Sequence, residues 1–412
     1  LWLRDLRLGT EKLVMDPVEM DQSEESIPIN GSYPMYRWTA DGKSIVLHQG
    51  GKIRRLDVAT GNVSTIPFTA RVQRTISEKA DVKYRIDDGP VGVRFIRWAV
   101  ASPDGRSLAF QALGRLWVQA LPAGTPRRLT PASFEQSEFQ PAWSPDGRNI
   151  AFASVDAQNR GALWRVSATG GEPQRLTSDW GEYMNPAWTT DGSAIVAARG
   201  SGASARASTR SRSGWFDIVR IPAGGGEERD IVQVSASGGG YAELRPTVLE
   251  DGRIYWAQSK TFGEGDGVNP PPRGVEVVSV RPDGSDRKVH AKVKDADDAA
   301  MSPSGRWVAF MTGANTYLAA MPPGGTGDQV PMIAKQGGAF PATPLTTEGG
   351  LYPRWRTRDI VDFASGKRFF SYDAANRRGD TVTVTLSAPR ALPAGSIALT
   401  GGRIVTLENK RV

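Results

Sequence analysis

Cysteine is absent from the 412 residues, so neither a disulfide nor a thiolate metal site can form. That absence fits an oxidising and a reducing compartment equally. Histidine is nearly absent: His48 and His290 are the only two, far apart in sequence. Most zinc chemistry and most imidazole catalysis therefore has little to work with. No stretch approaches the ~18 unbroken apolar residues of a membrane helix, and no membrane insertion is expected. Nor does the chain carry a Gly-x-Ser-x-Gly elbow, a His-x-His pair, a His-Glu-x-x-His helix or a Walker loop. It opens on Leu1, Trp2 and Leu3 with no initiator Met, basic n-region or apolar h-region, and so reads as a fragment that begins inside a pattern.

The charge excess is modest, 51 Lys and Arg against 44 acids. Cations and anions interleave, which describes a solvated mixed-charge surface. A nucleic-acid footprint needs a clustered basic stripe with stacking aromatics, so no nucleic-acid partner is expected. What is plentiful is Gly (46) and Pro (28), about 18 % of the chain against a usual ~12 %. Twelve Trp and 13 Phe supply large apolar groups. This is the composition of many short elements joined by turns.

One phrase recurs: an aromatic or apolar residue, a Ser/Thr-Pro-Asp-Gly-like turn, then an alternating apolar strand. The copies run Trp38 to Gly42, Ala101 to Gly105, Trp143 to Gly147, Trp188 to Gly192, Leu249 to Gly252 and Met301 to Gly305, with a degenerate seventh from Pro353 through Trp355 to Asp359. The turn glycines lie 63, 42, 45, 60 and 53 residues apart. The shorter spacings match the ~40–45-residue period of a four-stranded propeller blade, and the longer ones require insertions. Pro presets φ, Asp bonds nearby backbone and Gly takes the left-handed corner, which together make a hairpin. Alternation follows at once: Leu108 and Phe110 share one face, as do Ile150 and Phe152. A second phrase, a strand ending in a small-residue turn, follows each first one, as in Leu116 to Gly124 and Leu163 to Gly170. Two hairpins make one twisted sheet that cannot bury both faces alone, so the sheets are expected to stack radially. Residues 1–9 match only the second phrase, which reads as a truncated N-terminal blade.

Several residues could carry chemistry. Trp38, Trp143, Trp188 and Trp355 could form a stacking platform, but recurrence at one repeat position favours packing between sheets. Asp41, Asp104, Asp146, Asp191 and Asp251 occupy equivalent turns, and turn chemistry explains them better than catalysis. Arg206, Arg210 and Arg212 sit in a Gly/Ser-rich stretch that reads as a solvated loop. Gly263 to Gly267 hold two acids but lack the ligand spacing of a calcium loop. His48 and His290 read as structural or edge residues without partner sets. No catalytic, cofactor-binding or metal-binding residue is therefore assigned. Scaffolding, gating or binding is the expected role. The insertions at 67–95, 200–214 and 260–274 are expected to rim one face of a propeller.

The Ser-Pro-Asp-Gly-Arg turns at 102–106 and 144–148, with Leu-Trp-Val at 116–118 and Leu-Trp-x-Val at 163–166, resemble the TolB-type propeller repeat. This resemblance covers about residues 1–375 and is specific for fold, weakly so for function. Ile397 to Leu407, with Gly402, Arg403 and Ile404 between them, is similar to the opening strand of an amidohydrolase, as in bacterial propeller–amidohydrolase fusions. The resemblance implies an all-β propeller of four-stranded blades, six to eight with seven favoured, over 1–375. It further implies a linker at 376–395 and the start of an amidohydrolase-type β-sandwich at 396–412. By the same resemblance the propeller would be the accessory domain of a periplasmic or secreted C–N hydrolase, a scaffold and gate for peptide or small-molecule substrates. Its partner would be its own C-terminal barrel, which would hold a divalent metal, zinc by family habit, whereas this piece holds no cofactor. A non-enzymatic TolB-like binding propeller and the propeller of a prolyl-oligopeptidase-type peptidase are the alternatives.

Overall fold

The repeat turns fold as their residues dictate. In the computed structural model Ser102 Oγ donates to Asp104 Oδ1 at 2.6 Å, and the same carboxylate oxygen accepts the Arg106 amide at 3.0 Å. Ser102 Oγ also accepts the Ser107 amide at 3.0 Å, which starts the next strand. Ser144 and Asp146 repeat the pattern, as do Thr189 and Asp191 and, in the first copy, Thr39 and Asp41. Gly105 and Gly147 close these corners at φ 71° and 69°, a conformation that costs a β-carbon.

The structure describes residues 1–19, 35–73, 89–158, 160–200, 215–235, 244–263, 271–321, 330–337, 340–391, 395, 396, 398 and 400–402. Two units are distinguished, Leu1–Ile86 and Asp87–Val412. In the first, the hairpin Trp2–Arg4 with Glu11–Leu13 accompanies a four-stranded sheet of Tyr36–Trp38, Ser44–Gln49, Lys52–Asp57 and Val63–Thr65. Val14 joins Ile45, Leu47 and Leu56 in a small core, with Leu1 and Leu3 packed against it.

The second unit is a β-propeller. Six consecutive antiparallel sheets follow one another. Their innermost strands are Arg97–Ala101, Ser137–Trp143, Glu182–Trp188, Thr247–Val248, Asp298–Met301 and Leu351–Trp355, and we number the blades 1 to 6 in that order. Each blade runs from this strand outward through three more. Blade 4 gains a fifth, parallel strand, Met332–Ile333, drawn from the stretch between the third and fourth strands of blade 5.

Each neighbouring pair of blades shares a hydrophobic cluster. Blades 1 and 2 meet through Leu116, Ile150 and Phe152, and blades 2 and 3 through Leu163, Ile195 and Val219. Val196 and Val278 join blades 3 and 4, Val277 and Phe310 join blades 4 and 5, and Ala309 and Phe363 join blades 5 and 6. The sixth cluster closes the ring, setting Leu108 and Phe110 of blade 1 with Phe369, Val384 and Leu386 at blade 6. The Val93 amide donates to Leu386 O and the Ile96 amide to Gly366 O, both at 2.8 Å. Val91–Gly92 pairs antiparallel with Ser387–Ala388 beside them.

Two expectations change. The ring has six blades rather than the favoured seven, because blade 6 packs on blade 1 and leaves no open seam in this unit. The Trp38 copy of the phrase builds the separate sheet of the first unit. Residues 376–395 were expected as a linker, yet Arg378–Thr383 is the outermost strand of blade 6 and Val384 and Leu386 enter the closing core. Residues 403–412, where most of the amidohydrolase-like strand was expected, lie outside the described residues.

Candidate functional site

The repeat tryptophans of the ring, Trp143, Trp188 and Trp355, pack between blades, and each makes a hydrogen bond that its repeat position explains. Trp143 Nε1 donates to Val100 O and Trp188 Nε1 to Ala142 O, both at 3.0 Å, and Trp355 Nε1 donates to Ala300 O at 2.8 Å. In every case the acceptor is on the innermost strand of the preceding blade. Their rings also wall a central cavity of about 430 Å³ that all six blades line. Trp38, in the first unit, is half exposed.

Three residues ahead of the Trp position, which Val248 fills in the shortened turn of blade 4, stand Trp98, Gln140, Asn185, Arg245, Asp298 and Tyr352, one per blade. In four of these copies the next residue is proline: Pro141, Pro186, Pro246 and Pro353. Proline suits an innermost strand, whose channel side has no ladder to feed. The strands of blades 1, 2, 3 and 6 are bulged here. Trp98, Gln140, Asn185 and Tyr352 take φ of 48° to 57°, left-handed values that bulky residues rarely adopt.

The bulges aim these side chains across the axis. Gln140 Oε1 accepts the Asn185 amide at 2.8 Å, and Asn185 Nδ2 donates to Leu244 O at 3.1 Å. Arg354 of blade 6 reaches Asn185 Oδ1 of the opposite blade 3 at 3.1 Å. Arg245 pairs with Asp298 and donates through Nη1 to Pro353 O at 3.3 Å. Tyr352 lies against Trp98 with ring centroids 6.1 Å apart. Asn185 is 1 % exposed and Gln140 5 %. The belt thus crosses the channel and makes it a cup, its mouth at the Ser-Pro-Asp-Gly turns, where Pro103 and Pro145 are exposed. The 200–214 and 260–274 insertions fall in the chain between the second and third strands of blades 3 and 4, and residues 201–214 and 264–270 lie outside the described residues.

Beside the cup, Asp362 is almost fully buried. Ser371 Oγ donates to it at 2.8 Å and Arg356 Nε lies 3.5 Å away. Burial pushes its carboxyl up to about 6, against the opposing pull of Arg356 and Ser371.

The other sequence candidates resolve simply. The side-chain bond from Ser102 holds the Asp104 carboxyl below the usual range, Ser144 does the same for Asp146, and Thr189 leads in bringing Asp191 down to about 2. Asp251 accepts from Tyr255 Oη at 2.8 Å. These acids serve turns. His48 is exposed on its strand. His290, read as lacking partners, has two: Ser279 Oγ at 2.7 Å and the Tyr255 ring at 4.8 Å between centroids. Ser279 is wholly buried and accepts Arg253 Nε at 2.8 Å, so no substrate can reach it as a nucleophile. Burial lowers the His290 pKa. Arg206, Arg210, Arg212 and the acids Glu264 and Asp266 lie outside the described residues. Among the described residues no group of three or more His, Asp or Glu is arranged to hold a metal.

The sequence reading missed the belt. The signal was the X-Pro pair ahead of the tryptophans, which marks an inner strand with a re-aimed side chain.

No family model matches the chain. It is 26 % identical over 176 residues to a protein described as an uncharacterized peptidase, YuxL, of Bacillus subtilis. That match takes in 43 % of this chain, which spans about a fifth (22 %) of the relative's length. Among solved structures, a TolB-like protein of Agrobacterium tumefaciens is similar at TM-score 0.46 and 16 % identity, over 71 % of this chain and 91 % of that one. TolB from Acinetobacter baumannii gives 0.41 and 14 %, over 85 % and 80 %. Prolyl oligopeptidase B from Galerina marginata gives 0.42 and 12 %, over 73 % and 52 %. The fold itself rests on the sheet order and the closed seam: the second unit is a six-bladed β-propeller.

Proposed function

We propose that this chain is the propeller portion of a larger hydrolase of C–N bonds, serving as scaffold and substrate gate for a catalytic domain beyond the ring. The observation that carries the reading is the ring itself. Closure uses every blade face of the second unit, and what remains for function is a blind cup and two ring faces. A blind cup suits a gate that covers a catalytic mouth and selects by shape rather than a pore that substrates thread. The amidohydrolase-like strand at 397–407 favours a barrel as the catalytic partner. A divalent ion would then belong to that barrel, and no step is routed through it here. The match to a protein described as a peptidase favours a second reading, a peptidase domain in the barrel's place. The TolB-like resemblance supports a periplasmic or secreted location, with peptides or small amides as substrates.

The test is to assay the longer protein with and without the propeller on amide and peptide substrates of increasing length. Loss of size discrimination on deletion is the expected result. Unchanged rates and unchanged size preference would refute the gate. The coding sequence after Val412 separates the readings: paired His-x-His motifs mark the barrel, a Gly-x-Ser-x-Gly elbow marks the peptidase.

A further inference from the structure

We propose that the first unit carries a slot for two further antiparallel strands of the same repeat, supplied by polypeptide N-terminal to Leu1, which complete a blade ahead of the Tyr36–Trp38 sheet. The seam between blades 1 and 2 is the template. There blade 1 gives Val100 and Ala109 from its inner two strands, Leu116 and Val118 from its third, and Leu129 just past its fourth. The Leu129 amide donates to Leu116 O at 2.9 Å. The hairpin Trp2–Arg4 with Glu11–Leu13 repeats the outer half of this arrangement. Leu1 and Leu3 stand in for Leu116 and Val118, and Val14 for Leu129. The Val14 amide donates to Leu1 O at 3.0 Å. These side chains cover Ile45, Leu47 and Leu56, as their counterparts cover Ile150 and Phe152. No described residue of the first unit takes the places of Val100 and Ala109.

Two open surfaces bound the slot. Trp38 lies opposite Ile45 as Trp143 lies opposite Ile150. Trp143 gives its Nε1 proton to Val100 O, whereas Trp38 is half exposed and makes no such bond among the described residues. Tyr36, on the same face, is half exposed too. The second surface is a strand edge. Arg115–Ala120 of blade 1 pairs on both sides, but Trp2–Arg4 pairs, among the described residues, with Glu11–Leu13 alone. The Leu1 carbonyl and the Asp5 amide bond toward that hairpin partner, so the N–H and C=O groups of Trp2 and Arg4 point to the open edge. An open edge beside uncovered aromatic surface is a template for an added strand. The uncovered face also continues the cluster that already buries Ile45 and Leu47. Second and third strands in blades 1, 5 and 6 are joined by only residues 113–114, 313–314 and 366–367. A strand directly ahead of Leu1 therefore reaches the edge through a two-residue turn, and its own hairpin partner brings a carbonyl to Trp38. The inference does not rest on the hydrolase reading, since it concerns the first unit alone.

The test compares the 412-residue chain with the protein translated from the whole reading frame. Because these residues include no cysteine, Trp38→Cys sets one thiol in the slot. Its reaction with a maleimide is followed by mass spectrometry on the peptide that carries it. Labelling at the rate of a free thiol is expected in the 412-residue chain, and labelling about a hundredfold slower in the longer protein. Amide hydrogen exchange on the unsubstituted proteins covers the case in which Trp38→Cys does not fold. The Trp2 and Arg4 amides should exchange freely in the 412-residue chain and slowly in the longer one. Equal labelling or equal exchange in the two proteins would overturn the slot. A reading frame that opens fewer than about 15 residues before Leu1, too few for two strands and a turn at ~6 residues per strand, would overturn the upstream source. Protection that appears in the 412-residue chain and rises with its concentration would assign the slot to a second copy and overturn that source as well.

Discussion

Closure of the ring can be attacked where a linker was expected. Val384 is fully buried and Leu386 is 9 % exposed, and both sit in the cluster that joins blade 6 to blade 1. Replacing both with alanine removes five buried carbons. At ~0.8 kcal/mol per buried methylene this costs about 4 kcal/mol, and any unrelaxed cavity adds to it. For a unit of this size each kcal/mol moves the melting temperature by roughly 2–3 °C, so a fall of about 8–12 °C is expected. Urea unfolding followed by tryptophan fluorescence reads the same loss as a lower midpoint. Residues of a true linker tolerate alanine to within ~0.5 kcal/mol. A double variant within that margin would refute the closing role of this segment.

Trp188→Phe removes the pyrrole part of a buried indole together with its bond to Ala142 O, and should lower stability by about 2–3 kcal/mol in urea unfolding. At Gly284 an added β-carbon would meet Ile231 O at 2.2 Å, whereas at Gly252, also at positive φ, it meets nothing within 4 Å. Gly284→Ala should therefore lose clearly more stability than Gly252→Ala, and equal losses would argue against the contact between blades 3 and 4. Asp362 titrates near 6 in the fold, above its unfolded value of 3.8. Its stabilising share is fully present below that unfolded value and is lost as pH rises through about 6. The wild type should gain on Asp362→Asn by about 2 kcal/mol as pH falls from 7 to 4, read as the difference between their unfolding free energies. His290 works in the opposite sense, because its lowered pKa makes the fold lose stability as pH drops below the ordinary histidine range. His290→Gln should flatten that part of the profile.

The turns were legible because their chemistry is local: Ser102, Asp104 and Gly105 fix a corner whatever surrounds it. Blade count was not, because membership of a ring depends on what covers a sheet. Trp38 carries the same phrase as Trp143, yet only the latter finds a carbonyl on a preceding blade in its own unit. The outer strand Arg378–Thr383 was read as linker because it opens on Arg378, Gly379 and Asp380 with no apolar residue before Val382, and five of its six residues are exposed. The cup was hidden for another reason. Gln140, Asn185, Arg245 and Tyr352 look unrelated as residue types. They become one feature only when their shared position ahead of a proline is placed around an axis.

Amide hydrogen exchange on the intact chain tests the closed six-bladed ring most directly. The Val93 and Ile96 amides bond across the seam to Leu386 and Gly366. They should exchange as slowly as core amides such as those of Leu163 and Val219, through global unfolding alone. Exchange of both at rates typical of exposed loops, with the core still protected, would mean that the seam stands open.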